Sequence, residues 1–160
     1  MSFRPRWFSC LGLLALGVLA CRPAPTPVPG LSAEDSTALR GLAEHDAAWV
    51  SARDWATLVA LYEEDAVRMP PNSPALHGRA ANRAWLEQFP PIRAFGFRLV
   101  DLHGQGGLAY MHGAWTITVA PPGAPPASDS GKILIVFRKQ PDGSWLRVAD
   151  AWNSDLPPAK

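Results

Sequence analysis

Four side chains in this 160-residue chain place a proton-carrying group within apolar sequence: Asp46, Tyr62, His112 and Asp150. A histidine and two carboxylates converging in an apolar pocket make an acid/base set, able to take a proton from one atom of a bound molecule and return it to another. Asp46, His112 and Asp150 are therefore the candidate catalytic residues. Asp46 falls in three- and four-residue steps between Leu42 and Trp49. No Lys or Arg lies one helical turn away, since the neighbours are Leu42, Ala43, Trp49 and Val50. A carboxylate on an apolar helix face without a cation is driven towards its neutral form. Asp150 alternates in phase with Leu146, Val148 and Trp152, so a regular strand puts it on their face. His112 alternates with Tyr110, Ala114 and Thr116, a mixed set that leaves its facing open. His45, His77 and His103 rank lower, each beside a helix edge, a turn or a hairpin end.

Other chemistries are excluded by spacing. The four histidines take neither the i, i+4 spacing of a helical zinc pair nor a His-x-His strand spacing, so no metal is expected. A P-loop, a dinucleotide fingerprint and a Gly-x-Ser-x-Gly elbow are all lacking, and no cofactor is expected. The formal charge of +1, with both signs interleaved, offers nucleic acid no electrostatic footprint. Aromatic side chains are plentiful instead, with six tryptophans beyond residue 20. Trp49, Tyr62, Met69, Trp115, Trp152 and Asn153 are the candidate ligand-binding residues for a small apolar molecule.

The elements that must hold these residues begin after an N-terminal segment of another kind. Arg4 and Arg6 precede an apolar run over 7–20, shorter than the roughly 20 residues a membrane-spanning helix needs, which reads as a signal peptide. The run ends in Val18-Leu19-Ala20-Cys21, which resembles the bacterial lipobox. That resemblance implies cleavage before Cys21, lipidation of its thiol and anchorage at the cell envelope, the membrane being touched through the lipid alone. Proline at every second position over 23–29 forbids helix and central strand, so 21–31 reads as an extended tether. The globular domain is expected over 32–156, with 157–160 a short tail.

Ser32 is the expected N-cap of a first helix, with Glu34 and Asp35 in its first turn. Asp54 caps a second, short helix reaching Tyr62, and a third is expected over 80–89, stopped by Pro90-Pro91. A short strand at 66–69 is followed, after the third helix, by strands at 95–103, 108–120, 132–139 and 145–153, separated by Gly- and Pro-rich turns. Helices first and a meander afterwards make an α+β fold. The 133–137 strand, Ile-Leu-Ile-Val-Phe, is apolar on both faces, which predicts a homodimer through the sheet's convex face.

Several short segments, taken in order, carry a resemblance: 49–54, 60–67, Pro70-Pro71-Asn72, Gly78-Arg79, Gly107-Leu108-Ala109-Tyr110, Gly113-Ala114-Trp115, Asp142-Gly143-Ser144-Trp145 and Trp152-Asn153. Over about 34–155 the chain resembles a DUF4440 domain of the NTF2-like (SnoaL/ketosteroid-isomerase-like) superfamily. The resemblance implies about three N-terminal helices closing a strongly curved antiparallel sheet into a cone with an apolar cavity. It implies no single reaction. Aligned with ketosteroid isomerase, the chain has Asp46 where that enzyme has its oxyanion-hole tyrosine, Pro70 for its general-base aspartate and Ile135 for its protonated aspartate. Proline and isoleucine move no protons, so that mechanism is not expected. The leading expectation is a domain that binds a small, largely apolar molecule. An acid/base enzyme (isomerase, dehydratase or hydrolase) and a non-catalytic interaction module are the alternatives.

Overall fold

The first helix starts where its cap predicts, the Ser32 hydroxyl accepting the Asp35 N–H at 3.0 Å. In the computed structural model, which describes residues 28–157, α1 runs Ala33–Ala52 and ends on Arg53 in the left-handed region, φ 54°. The signal peptide, Cys21 and the tether as far as residue 27 lie outside the described residues, as do 158–160. Asp54 accepts the Thr57 N–H and starts α2, Trp55–Ala60. Tyr62, read from the sequence as the end of that helix, instead opens β1, Tyr62–Met69. Sheet pairing overrides the local helical pattern here, the Arg147 N–H donating to Leu61 O at 2.7 Å. After the two-residue β2, Leu76–His77, α3 occupies Gly78–Glu87. The Arg53 guanidinium donates to Phe89 O and Pro90 O, both at 2.8 Å, and so ties the end of α1 to the chain leaving α3.

Four long strands follow: β3 Ile92–Gln105, β4 Leu108–Val119, β5 Ala127–Lys139 and β6 Trp145–Ser154. The sheet order is β2-β1-β6-β5-β4-β3, with the helices packed on one side of a strongly curved surface. The α+β cone expected from the sequence is the fold observed. The sheet is mixed, however, because the meander returns β6 alongside β1 in the same direction, making one parallel pair where an all-antiparallel sheet was expected.

Curvature has identifiable causes. A β-carbon on Gly131 would lie 1.8 Å from Asn153 O, and one on Gly113 would lie 2.6 Å from Arg98 O and 2.7 Å from the Phe97 ring. Adjacent strands therefore approach more closely than any side chain allows. The β5–β6 register shifts between Val136↔Ala149 and Phe137↔Arg147, leaving Val148 as an extra residue in β6, a bulge. Leu39 and Ala43 of α1 pack on Leu102, Met111, Ile135, Phe137 and Trp145 of the sheet. A second apolar cluster joins Trp55, Leu58 and Val59 of α2 to Leu86 of α3. Asp35 pins α1 to the far strands, accepting from Trp145 Nε1 at 2.9 Å and pairing with Lys139; these hydrogen bonds hold its pKa down at about 2.

Residues 28–31, read from the sequence as the end of the tether, lie along the β3–β4 turn. Gln105 Nε2 donates to Val28 O at 2.9 Å, the Gly106 N–H donates to Pro29 O at 3.0 Å, and Gly30 bridges Gln105. Among the described residues no helix is long and apolar enough to cross a membrane.

Candidate functional site: a polar corner in an aromatic cavity

The bulge at Val148 decides what the cone contains. Before it, Trp145 and Arg147 point inward with Phe137; after it, Asp150 and Trp152 do. One strand thereby sends both a guanidinium and a carboxylate into the interior, which regular alternation forbids for positions three apart. Asp46, on the Leu39–Ala43–Asp46 face of α1, meets them there.

Asp46 does have a cation. Arg147 Nη2 donates to Asp46 Oδ1 at 2.7 Å, both side chains being almost wholly buried. The sequence expectation of an unpaired carboxylate fails because it considered only the helix's own neighbours, and the partner comes from β6. Arg147 Nη1 donates to the Tyr62 hydroxyl at 3.3 Å, and that hydroxyl donates to Asp150 Oδ2 at 2.5 Å. Burial, reinforced by the Asp150 carboxylate and only partly opposed by Arg68, pushes the Tyr62 phenol up to about 12. Burial works against the Arg147 cation, but Asp46 and Tyr62 outweigh it and hold its pKa above the usual guanidinium value.

Arg68 of β1 completes the corner. It sits opposite Asp150 in the parallel β1–β6 ladder, and its Nη1 donates to Asn82 Oδ1 of α3 at 2.8 Å. Its Nε stands 3.4 Å from Asp150 Oδ1, an ion pair without a hydrogen bond, and neither atom has another hydrogen-bond partner. The guanidinium lies 4.6 Å from the Trp152 ring centre and 5.2 Å from that of Trp85.

These groups border a cavity of about 320 Å³. Asp46, Arg68, Arg147 and Asp150 supply the charges of its polar corner, Asp129 is a further carboxylate on the lining, and its walls are aromatic and aliphatic, with Trp85, Trp115, Trp152, Phe89, Phe95 and Phe97 prominent. The volume is at the small end of the range for ligand pockets. Among the described residues no three His, Cys, Asp or Glu side chains are grouped to hold a metal ion.

The candidates from the sequence divide. Asp46, Asp150, Trp115 and Trp152 line the cavity, and Tyr62 is buried behind it, touching Asp150. His112 does not join them. Odd-numbered residues of β4 point inward, so His112 lies on the convex face with Tyr110. Trp49 stacks on His45 at the outer side of α1, 5.5 Å between ring centres, because the inward face passes through Asp46 and Val50. Met69 is exposed where β1 ends, and Asn153 alternates away from Trp152 to the outside. Arg68, Asn82 and Arg147 were not singled out from sequence. The available signal was an arginine inside the apolar run Trp145-Leu146-Arg147-Val148-Ala149, which strict alternation assigned to the wrong face.

Residues 42–150 match the SnoaL-like domain, most of the described chain. The protein belongs to the SnoaL-like family. Its SnoaL-like fold is shared by a ketosteroid isomerase-like protein from Erwinia carotovora atroseptica: TM-score 0.71, 17% identity, covering 79% of this chain and 100% of that one. An NTF2-like protein from Novosphingobium aromaticivorans has TM-score 0.67 at 19% identity, over 79% of this chain and 85% of its own. ActVI-ORFA from Streptomyces coelicolor has TM-score 0.63 at 22% identity, over 75% and 97%. At these identities the likeness is one of fold. No curated protein matches the chain.

Proposed function

We propose that this SnoaL-like protein is an exported, lipid-anchored, DUF4440-type domain whose cavity binds a small, largely apolar molecule. The observation that carries the binding reading is the composition of the cavity wall: seven aromatic side chains and several aliphatic ones, with Asp46, Arg147, Arg68 and Asp150 gathered in one corner and facing each other in pairs. Apolar area of that kind favours ligand burial. Because Asp46 and Asp150 each face a guanidinium, neither stands as a free base, which ranks binding ahead of catalysis. Small-molecule mass spectrometry on the purified mature protein tests this. A defined compound should copurify and be lost when Ile133→Trp fills the cavity. Absence of any compound, with no tryptophan fluorescence response to apolar probes, refutes the reading.

Export and anchorage rest on the lipobox-like Val18-Leu19-Ala20-Cys21 and the proline tether. Wild type should partition with membranes and Cys21→Ala should not; equal recovery of both in the soluble exported fraction refutes the anchor. One observation favours an acid/base enzyme as the second reading: Asp150 Oδ1, at the cavity, has no hydrogen-bond partner. An activity lost in Asp150→Asn while ligand still binds would establish it. The reading also includes a homodimer through the convex face.

A further inference from the structure

We propose that the cavity selects a neutral ligand bearing one hydroxyl on a flat apolar body, the hydroxyl accepting a hydrogen bond from Arg68 and donating one to Asp150. This rests on the binding reading above and names the class of molecule it would hold.

Counting donors and acceptors in the polar corner leads to the hydroxyl. Arg147 spends its two terminal nitrogens on Asp46 and Tyr62. Arg68 spends Nη1 on Asn82, and Tyr62 occupies Asp150 Oδ2. Four buried atoms keep no hydrogen-bond partner, Arg68 Nε, Arg147 Nε, Asn82 Nδ2 and Asp150 Oδ1. Of these, the donor Arg68 Nε and the one acceptor, Asp150 Oδ1, face each other at 3.4 Å. Asp150 is only 1% exposed, and Arg68, whose side chain is 13% exposed, is the member able to swing and admit a ligand atom. An oxygen can then stand about 2.8 Å from both.

Three kinds of ligand would treat that pair differently. A hydrocarbon leaves both atoms unsatisfied in an apolar enclosure. A carboxylate satisfies Arg68 but brings an uncompensated charge beside Asp150, since the lining already carries three aspartates, Asp46, Asp129 and Asp150, against two arginines. A hydroxyl carries a lone pair for the guanidinium and a proton for the carboxylate, and adds no charge. The shape of the body follows from the neighbours. Trp152 and Trp85 flank the Arg68 guanidinium and meet edge to face at 5.6 Å, and Phe89 meets Trp85 at 4.7 Å. The polar corner is thus bordered by ring faces and edges, against which a flat group packs with more contact than a branched one.

Three probes of one shape separate the cases: indan-2-ol, indane and indane-2-carboxylate, titrated into the mature protein and followed by tryptophan fluorescence. The alcohol is expected to bind at least tenfold more tightly than either companion. In Arg68→Met the alcohol should lose its advantage, the two affinities differing by less than twofold. Arg68→Gln, which keeps a polar group of shorter reach, is expected to lose the same preference and serves if the Met variant does not fold. Equal binding of indan-2-ol and indane overturns the hydroxyl preference while leaving the cavity as a binding site, and so does tightest binding by the carboxylate. An unchanged alcohol preference in both folded variants also overturns it. If none of the three binds, the binding reading fails with it.

Discussion

Removing the Arg147 guanidinium would strand Asp46 inside the cone, and the cost of stranding a buried charge exceeds anything the intact pair contributes. Breaking a buried ion pair from one side costs about 3–5 kcal/mol, whereas replacing both partners with apolar residues is often neutral or stabilising. Arg147→Met should therefore lose about 3–5 kcal/mol in denaturant unfolding, and adding Asp46→Leu should restore most of it; additive losses would show that the 2.7 Å pair is not the coupling. Tyr62 gives the corner a pH dependence of definite sign. Its phenol is held at about 12, above the ordinary 10.0, so the fold favours the neutral form. That contribution is fully present below pH 10 and is lost as the pH rises through about 12. An ultraviolet titration should show a phenolate step near that upper value, absent from Tyr62→Phe, and wild type should lose thermal stability across the window more steeply than the variant. Of this corner, Asp46 and Asp150 were legible in the sequence as polar positions within apolar periods. Arg147 was not, because its facing depends on an extra residue in β6 that no local pattern announces.

Elements were easier to read than their pairing. Ser32 and Asp54 mark the starts of α1 and α2 by chemistry contained within four residues, and the turns at 106–107 and 141–143 bound the strands for the same reason, although β3 runs on through Gly104 and Gln105, which the sequence assigned to the turn. Pairing depends on partners distant in sequence: Tyr62 leaves its helical pattern because β6 is waiting beside it, and the parallel β1–β6 ladder exists only once the meander has closed. The bulge and the close strand crossings that curl the sheet belong to the same class of information. Gly131 tests whether that curl depends on close approach. A methyl group there would lie 1.8 Å from Asn153 O, a backbone atom that cannot turn aside. Gly131→Ala should thus cost at least about 1–3 kcal/mol, the usual range for overpacking, and shift the β5–β6 amide resonances. Gly107→Ala, where an added β-carbon meets nothing within 4 Å, is the control and should be near neutral.

At the scale of the molecule the curved sheet has two faces of different character. The concave face carries the cavity; the convex face exposes Val100, Leu108, Tyr110 and Leu134, each between 42% and 53% accessible, with His112 among them. Isolated apolar side chains on a surface are ordinary, but here they occupy neighbouring strands, Tyr110 pairing with Val136 and His112 with Leu134 across β4 and β5. A second copy related by a twofold axis would cover this patch with its own equivalent, and a stable interface needs roughly 800 Å² from each partner. Such a dimer leaves the cavity free, because the lining of β3 comes from Ile92, Phe95 and Phe97 on the inward side. Sedimentation equilibrium of the Cys21→Ala chain at micromolar concentration should give twice the monomer mass. Tyr110→Glu combined with Leu134→Glu should halve that mass without altering the circular dichroism spectrum, since both side chains are solvent-facing in one copy. A wild-type chain that sediments as a monomer, or a doubly substituted chain that remains a dimer, would exclude this face as the contact.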